Sequence, residues 1–178
     1  MSVRKTLIAA SVALSACLGC SAVAAEGLWA GAGLGIPYGG VIGAKASYDI
    51  NLGGATLSPS LGVGSAIAAT GVDVGAQVYF GDKTARTQLG VGVWYGTNTV
   101  VSIPWADDVT GKGVTLGFTP RTRFGESGRH AVDWYVLYIA SANYDKPTCP
   151  KYYSSYCSVS VVDVGSKVKI GAGYSFNF

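Results

Sequence analysis

Few residues of this chain could do chemistry, and the most suggestive set is a serine, a histidine and an acid in its C-terminal half. Ser127, His130 and Asp133 lie three residues apart, and His130 is the only histidine. Such a set could act as a nucleophilic triad, in which the imidazole takes the serine proton and the carboxylate orients the imidazole. His130 directly follows the turn-forming sequence Gly125–Arg129, where a solvated histidine is the simpler interpretation. We therefore predict that the protein is not an enzyme.

The cysteines form a second candidate site. Cys17 and Cys20 fall within an N-terminal leader, so that Cys149 and Cys157, eight residues apart, are the two that remain in the mature chain. In an exported protein this spacing favours a disulfide that closes a short loop. No histidine lies near either thiol, which makes a metal site the weaker interpretation. We predict no metal and no other cofactor.

The residues around these cysteines are basic and aromatic, and could bind lipopolysaccharide phosphates or a protein partner. An ordinary polar loop has a similar composition. An earlier connection contains the carboxylates Asp107 and Asp108, which could bind a cation but are equally usual in a solvated loop. The predicted surface contacts in the two connections are Trp105, Lys146, Lys151, Tyr152, Tyr153 and Tyr156.

The N-terminus has the features of a secretory signal. The basic start MSVRK is followed by the apolar run TLIAASVALSACL and by the small residues SAVAA. We predict a signal peptide over residues 1–25 and a mature domain over residues 26–178. The segment Leu14–Cys17 also resembles the box before a lipidated cysteine, which is the alternative. Removal of Arg4 and Lys5 leaves 11 basic against 10 acidic residues, a net charge of +1, so no nucleic-acid partner is predicted.

The mature chain alternates apolar residues with small or polar ones in eight segments. This period of two is typical of β-strands that present one apolar and one polar face. Each segment is close to the roughly 9–11 residues that a tilted strand needs to cross a membrane. The predicted strands cover about 27–36, 41–50, 55–66, 71–81, 87–97, 113–124, 131–143 and 167–178.

The connections between these segments differ in length. Those after the second, fourth and sixth segments are short, whereas residues 98–112 and 144–161 form long connections after the fifth and seventh. Outer-membrane barrels have this asymmetry, with short turns in the periplasm. Pro59 and Pro120 fall inside predicted strands and would each remove a ladder donor, so bulges or shifted strand limits are expected there.

The two faces predict what lies inside. The residues that alternate with the apolar ones are mainly small and polar. The apolar face of each strand must therefore face lipid, and the sheet must close on itself. An eight-stranded barrel is just wide enough inside for side chains, so we predict an ionic plug; a narrow pore is the alternative. Pairing of the sixth and seventh strands about Ser127 would place Arg121 opposite Asp133, and Trp29 and Trp94 are expected to pack inside. The predicted interior ions are Lys45, Asp49, Asp73, Arg121, Arg123, Asp133, Lys167 and Lys169.

The last segment, KVKIGAGYSFNF, carries apolar residues on one parity and ends in Tyr174, Phe176 and Phe178. It resembles the closing strand of bacterial outer-membrane β-barrels, and the whole mature pattern is similar to that of small OmpA- or OmpX-type barrels. The resemblance implies an all-β, antiparallel, up-and-down, eight-stranded transmembrane barrel in the outer membrane of a Gram-negative bacterium, a multi-pass monomer with both termini in the periplasm. It also implies contact with outer-membrane lipid and lipopolysaccharide, and a terminal strand that serves as a signal to the barrel-assembly machinery.

This resemblance favours a non-enzymatic structural or surface-interaction role through the extracellular loops. The alternatives are a narrow, porin-like pore for ions or small solutes and a lipid-modifying outer-membrane enzyme. Lipid A deacylase barrels of similar size use a serine, a histidine and an acid near the outer leaflet, where this sequence has no histidine. A soluble exported barrel, with the two faces reversed, is the alternative fold.

Overall fold

The computed structural model describes residues 27–66, 69–81, 85–101, 109–144 and 166–178. Within these ranges the chain is almost entirely β-strand, with one short 3₁₀ turn at Ile36–Tyr38. Among the described residues, no helix has the length and apolar character needed to cross a membrane. The strands are β1 (Leu28–Gly35), β2 (Gly40–Tyr48), β3 (Ile50–Asn51), β4 (Ala55–Ala66), β5 (Ala69–Phe80), β6 (Thr87–Val101), β7 (Val109–Phe118), β8 (Arg121–Phe124), β9 (His130–Ile139), β10 (Asn143–Tyr144) and β11 (Val168–Asn177).

The strands form one closed antiparallel barrel. β2 with β3, β7 with β8, and β9 with β10 are successive parts of single barrel strands, which gives eight strands in all. Each barrel strand pairs with the next along the chain, and β1 pairs with β11, from Trp29 opposite Asn177 to Leu34 opposite Ala172. The predicted eight-stranded antiparallel barrel is therefore confirmed.

The barrel has two distinct ends. At the lower end β1 begins, β11 ends, and short connections join β3 to β4, β5 to β6, and β8 to β9. At the upper end lie the 3₁₀ turn between β1 and β2 and the connections from β4 to β5, β6 to β7, and β10 to β11. The two connections predicted to be long thus join strands at the same end.

Strand limits differ from the predicted ones mainly at the upper end. β6 continues to Val101 and β7 begins at Val109, so much of the predicted 98–112 connection is strand. This stretch is rich in threonine and valine, whose branched side chains suit a pleated sheet. The register shifts between Thr97 and Thr99, and such a bulge re-aims the strand beyond it.

Both prolines coincide with interruptions of the ladder. Pro59 lies in β4 beside the gap where β2 ends at Tyr48 and β3 begins at Ile50. Pro120 lies between β7 and β8. Since proline has no N–H to donate, a break in the neighbouring strand or in its own strand removes the conflict.

The outer wall of the barrel is apolar, and the inner face carries the buried ions and polar groups together with a cluster of aromatic and aliphatic side chains. Trp29 and Trp94 are 3% and 1% exposed, which confirms the prediction that both pack inside. In contrast, Ile170 is 82% exposed on the outer wall. Other outward apolar residues, each exposed by between two fifths and three fifths, are Leu34, Ile42, Val72, Val74, Leu89, Val91, Val93, Leu116, Val136 and Val168.

Candidate functional site

The centre of the barrel is organised by one carboxylate, that of Asp133 on β9. Asp133 lies opposite Arg121 of β8, the register that pairing about Ser127 predicts, and accepts a 2.7 Å hydrogen bond from Arg121 Nε at Oδ1. Its Oδ2 accepts from Lys45 Nζ of β2 at 3.0 Å and from Ser175 Oγ of β11 at 3.2 Å. This carboxylate therefore ties β9 to three other strands.

A second carboxylate, Asp49, extends this network towards the lower end. Arg121 Nη1 lies 3.0 Å from Asp49 Oδ2 and 3.3 Å from Oδ1, and Arg123 Nη2 lies 3.7 Å from Oδ2. Asp49 sits in the gap between β2 and β3, where its backbone N–H donates to the carbonyl of Gly27 at 2.7 Å. The break in the strand thus allows this carboxylate to reach two arginines on β8.

Aromatic rings enclose both cations at the centre. The Arg121 guanidinium carbon lies 4.3 Å from the Tyr79 ring centre and 4.7 Å from that of Trp29. Lys45 Nζ donates to Tyr135 Oη at 2.6 Å and lies 5.2 Å from the ring centre of Tyr38. Cation–π contacts of this kind contribute about 0.5–2 kcal/mol each, and the rings also fill the lumen.

The predicted interior ions do not all reach the interior. Lys45, Asp73, Arg121 and Asp133 are buried. Lys169 is half-buried on the inward parity, as are Asp49 and Arg123 nearer the lower mouth. Lys167 is exposed, and its predicted interior position is wrong because β11 begins only at Val168, which leaves Lys167 at the rim of the barrel.

The turn between β1 and β2 folds into the upper end of the lumen. Ile36, Pro37 and Tyr38 are all buried. The Tyr38 ring packs edge-on against Tyr135 with centroids 5.9 Å apart, and Trp94 packs edge-on against the same ring at 6.0 Å. This segment, Ile36–Tyr38, is hereafter called the inner turn.

Glycines on the inner face make room for the inner turn. A Cβ atom on Gly43 would collide with the carbonyl oxygen of Tyr38, and one on Gly71 would collide with that of Gly39. A Cβ atom on Gly173 would collide with the Tyr38 ring. The sequence signal for the inner turn was therefore the concentration of inward-parity glycines at the upper end of several strands.

The lower mouth is more open. A cleft of about 680 Å³ lies there, and its lining includes Trp29, Asp49, Arg123, Arg129 and Asn177. Solvent can thus approach the lower edge of the ionic network, but the fully buried Arg121 and Asp133 lie deeper. The interior is filled rather than channel-like at that level.

The serine, histidine and acid considered as a triad are not brought together. Asp133 points into the barrel, whereas His130 lies on the outer parity of β9 and its Nδ1 is 2.6 Å from Tyr174 Oη. Ser127 is exposed in the connection at the lower end. A separation of three residues along a strand places side chains on opposite faces, which is why the spacing cannot join His130 to Asp133 here.

The three terminal aromatics lie in a cluster at the lower end. His130 stacks on Phe124 at 5.5 Å between ring centres and packs against Phe176 at 5.2 Å. Phe176 in turn packs edge-on against Phe178 at 5.3 Å. Together with Tyr174, these rings form an aromatic band where β8, β9 and β11 meet the lower rim.

Several predicted sites fall outside the described residues. They are the leader, the cysteine pair, and the surface contacts of the two upper connections. Within the described ranges, no group of three histidine, cysteine, aspartate or glutamate side chains could hold a metal ion. The residues outside are 1–25, Trp105, Lys146, Cys149, Lys151, Tyr152, Tyr153, Tyr156 and Cys157.

Fold and interior together define a class: a closed, eight-stranded antiparallel barrel with an apolar outer wall and a charged, filled core. Comparison of the chain with protein-family models, with curated proteins and with solved structures finds no match.

We expect Asp133→Asn to lower the free energy of unfolding by about 3–5 kcal/mol, because it leaves buried Lys45 and Arg121 without their shared countercharge. Denaturant unfolding of the refolded protein in detergent micelles measures this change. Glu126→Gln, which removes an exposed acid at the lower end, is the control and should change stability by less than about 0.5 kcal/mol. Equal stability of the two variants would contradict the central role of Asp133.

We expect Gly43→Ala to displace the inner turn, because its Cβ would occupy the position of the Tyr38 carbonyl. Chymotrypsin should then cleave after Tyr38, which is fully buried in the native chain. Gly54→Ala is the matched control, since a Cβ at Gly54 meets nothing within 4 Å. Protection of the Tyr38–Gly39 bond in Gly43→Ala would show that the inner turn tolerates the methyl group.

Proposed function

We propose that this protein is an integral β-barrel of a Gram-negative outer membrane, with a non-enzymatic structural or surface-interaction role. The observation that carries the proposal is the outer wall, on which large apolar side chains are exposed on seven of the eight barrel strands, while the ion pairs lie inside. On the eighth, β4, the outward Leu57, Leu61 and Val63 are half-buried. In water such a wall would remain solvated at a cost that grows with its apolar area. In a bilayer the same apolar side chains would contact lipid tails, which removes this cost.

The closed sheet agrees with this location. Lipid cannot hydrogen-bond free strand edges, so only a barrel in which every strand has two partners is compatible with it. β4 and β5 contain 12 residues each and β9 contains 10. These lengths match or exceed the roughly 9–11 residues that span the hydrocarbon region at a tilt.

The lengths of the turns and the positions of the described chain ends support one orientation of the barrel in the membrane. Short turns and both described chain ends lie at the lower end, which is the periplasmic end in outer-membrane barrels. The aromatic band of Phe124, His130, Tyr174, Phe176 and Phe178 lies there as well, at the level where rings prefer the membrane interface. In this orientation Phe178 and its strand are available to the barrel-assembly machinery, and the longer connections face the cell surface.

The surface connections are the part of the protein that would contact a partner. Their basic and tyrosine-rich sequence between β10 and β11 suits lipopolysaccharide phosphates or a protein surface. The protein would display this segment on a rigid barrel as a monomer, with outer-membrane lipid around it.

The alternatives have less support. A pore needs a path, but the lumen is crossed by the Lys45–Asp133–Arg121 network and filled above it by the inner turn. A lipid-modifying enzyme needs a nucleophile near a base, but Ser127, His130 and Asp133 lie on different surfaces of the barrel.

Expressed in a Gram-negative host, the protein should fractionate with the outer membrane and migrate differently on gels before and after boiling. Val74→Arg, on the outer wall, should destabilise the folded barrel in lipid by about 2–4 kcal/mol if position 74 lies near the midplane of the bilayer. Leu52→Arg, at an equally exposed position in the lower connection, is the control and should fold normally. A water-soluble protein that tolerates Val74→Arg would refute the membrane location.

At pH 6 in planar bilayers the purified barrel should show no regular conductance steps, because its lumen is filled by side chains. Steps that change in size when Arg121 is replaced by methionine would favour the pore instead.

A further inference from the structure

Asp73 on β5 differs from the other buried ions. Its side chain points into the barrel and is 1% exposed. Lys45, Arg121 and Asp133 all form ion pairs, whereas neither carboxylate oxygen of Asp73 has a hydrogen-bond partner in the described part of the protein. A buried carboxylate without a partner is strongly disfavoured relative to its neutral, protonated form.

The surroundings of Asp73 are made of backbone. Its cross-strand neighbours are Gly62 on β4 and Gly96 on β6, and its same-face neighbours on β5 are Gly71 and Gly75. None of these four residues brings a side chain that could donate to the carboxylate. Asp73 is therefore the single inward side chain in a patch of glycines.

The inner turn lies on this same patch. A Cβ atom on Gly62 would collide with the carbonyl of Pro37, and one on Gly71 with the carbonyl of Gly39. The turn thus covers the strands that hold Asp73 and separates the carboxyl group from the upper mouth.

The groups that face Asp73 from each packed element leave it without a countercharge. The inner turn meets this patch with the backbone carbonyls of Pro37 and Gly39, while the hydroxyl of Tyr38, its titratable residue, lies against Gly173 on β11. On β6, Trp94 lies beside Gly75 and Thr97 beside Gly71, and neither carries a charge. Lys45 on β2 is the next residue across the sheet, since it lies opposite Gly62, which in turn lies opposite Asp73. Its ammonium group, however, donates hydrogen bonds to Asp133 and Tyr135.

Glycines flank the inner turn on both sides. Gly35, Gly39 and Gly40 have φ of 107°, 78° and 145°, a region that side chains other than glycine rarely adopt. Such positions can absorb large backbone rotations and serve as hinges. Rotation at these glycines would move the turn as a unit and would break only the terminal Gly35–Gly40 pair of the β1–β2 ladder.

We propose that Asp73 is a proton-binding switch that controls whether the inner turn stays in the barrel. The protonated, neutral carboxyl is compatible with the closed state. When the pH rises, the carboxyl gives its proton to water, and the resulting carboxylate must be hydrated. Water can reach it only if the inner turn leaves, so loss of the proton opens the upper mouth.

Hydrogen exchange of residues 36–43, measured by mass spectrometry on the full chain in detergent, tests this switch. At pH 5.5 the wild type and Asp73→Asn, which mimics the protonated form, should exchange alike. At pH 8.5, with both corrected for the same intrinsic rate, the wild type should exchange at least tenfold faster. Glu126→Gln, at the lower end, should behave as the wild type. Equal exchange of the wild type and Asp73→Asn at pH 8.5 would overturn the proposal.

The wild-type chain alone provides a second measurement. Chymotryptic cleavage after Tyr38, relative to cleavage of a free peptide of residues 34–43, should rise between pH 5.5 and 8.5. A constant ratio would also overturn the switch, even if Asp73→Asn did not fold. Both measurements depend on the barrel and not on its location, so their failure is distinguishable from failure of the proposed membrane function.

Discussion

The carboxylate of Asp133 is the interaction on which the rest of the barrel interior depends. It accepts hydrogen bonds from Arg121, Lys45 and Ser175, which come from β8, β2 and β11. Burying two cations is costly, and a single well-placed anion with several donors offsets that cost only when the geometry is good. The surrounding rings of Trp29, Tyr79 and Tyr135 then fill the space that such a small polar cluster leaves.

The upper half of the lumen is filled in a different way. Glycines replace side chains on the inner wall, and the inner turn occupies the space with backbone and the Tyr38 ring. Backbone has its own hydrogen bonds to satisfy, and the Gly39 N–H donates to the Ile36 carbonyl at 2.8 Å within the turn. The lower half is thus held by charge and the upper half by shape. Asp73 lies in the second region, which explains why it finds no cation.

The sequence predicts what depends on local pattern. Alternation assigns the faces, and the turn at Ser127 alone is enough to place Arg121 opposite Asp133. It does not predict that Tyr38 enters the lumen, because the space for it is created by glycines from strands far apart in the chain. Lys167 shows a similar limit. The alternation indicates which side chains of a strand point inward, but not at which residue the strand begins relative to the rim of the barrel. The spacing of Ser127, His130 and Asp133 has a different limit: His130 and Asp133 lie three residues apart on one strand and therefore point to opposite faces, while Ser127 lies in the turn before it.

Closure of the sheet joins the first strand of the described chain to the last, with Trp29 opposite Asn177. Until β11 is present, β1 therefore has one unpaired edge, and the Ser175 donor to Asp133 is missing from the core. Contacts between residues so distant in sequence form late and make folding slow. Neighbouring strands can pair in chain order, but the barrel cannot close until the C-terminal strand is present. Until then the free edge of β1 is open to pairing with the edge of another chain, so incomplete chains are expected to be prone to aggregation.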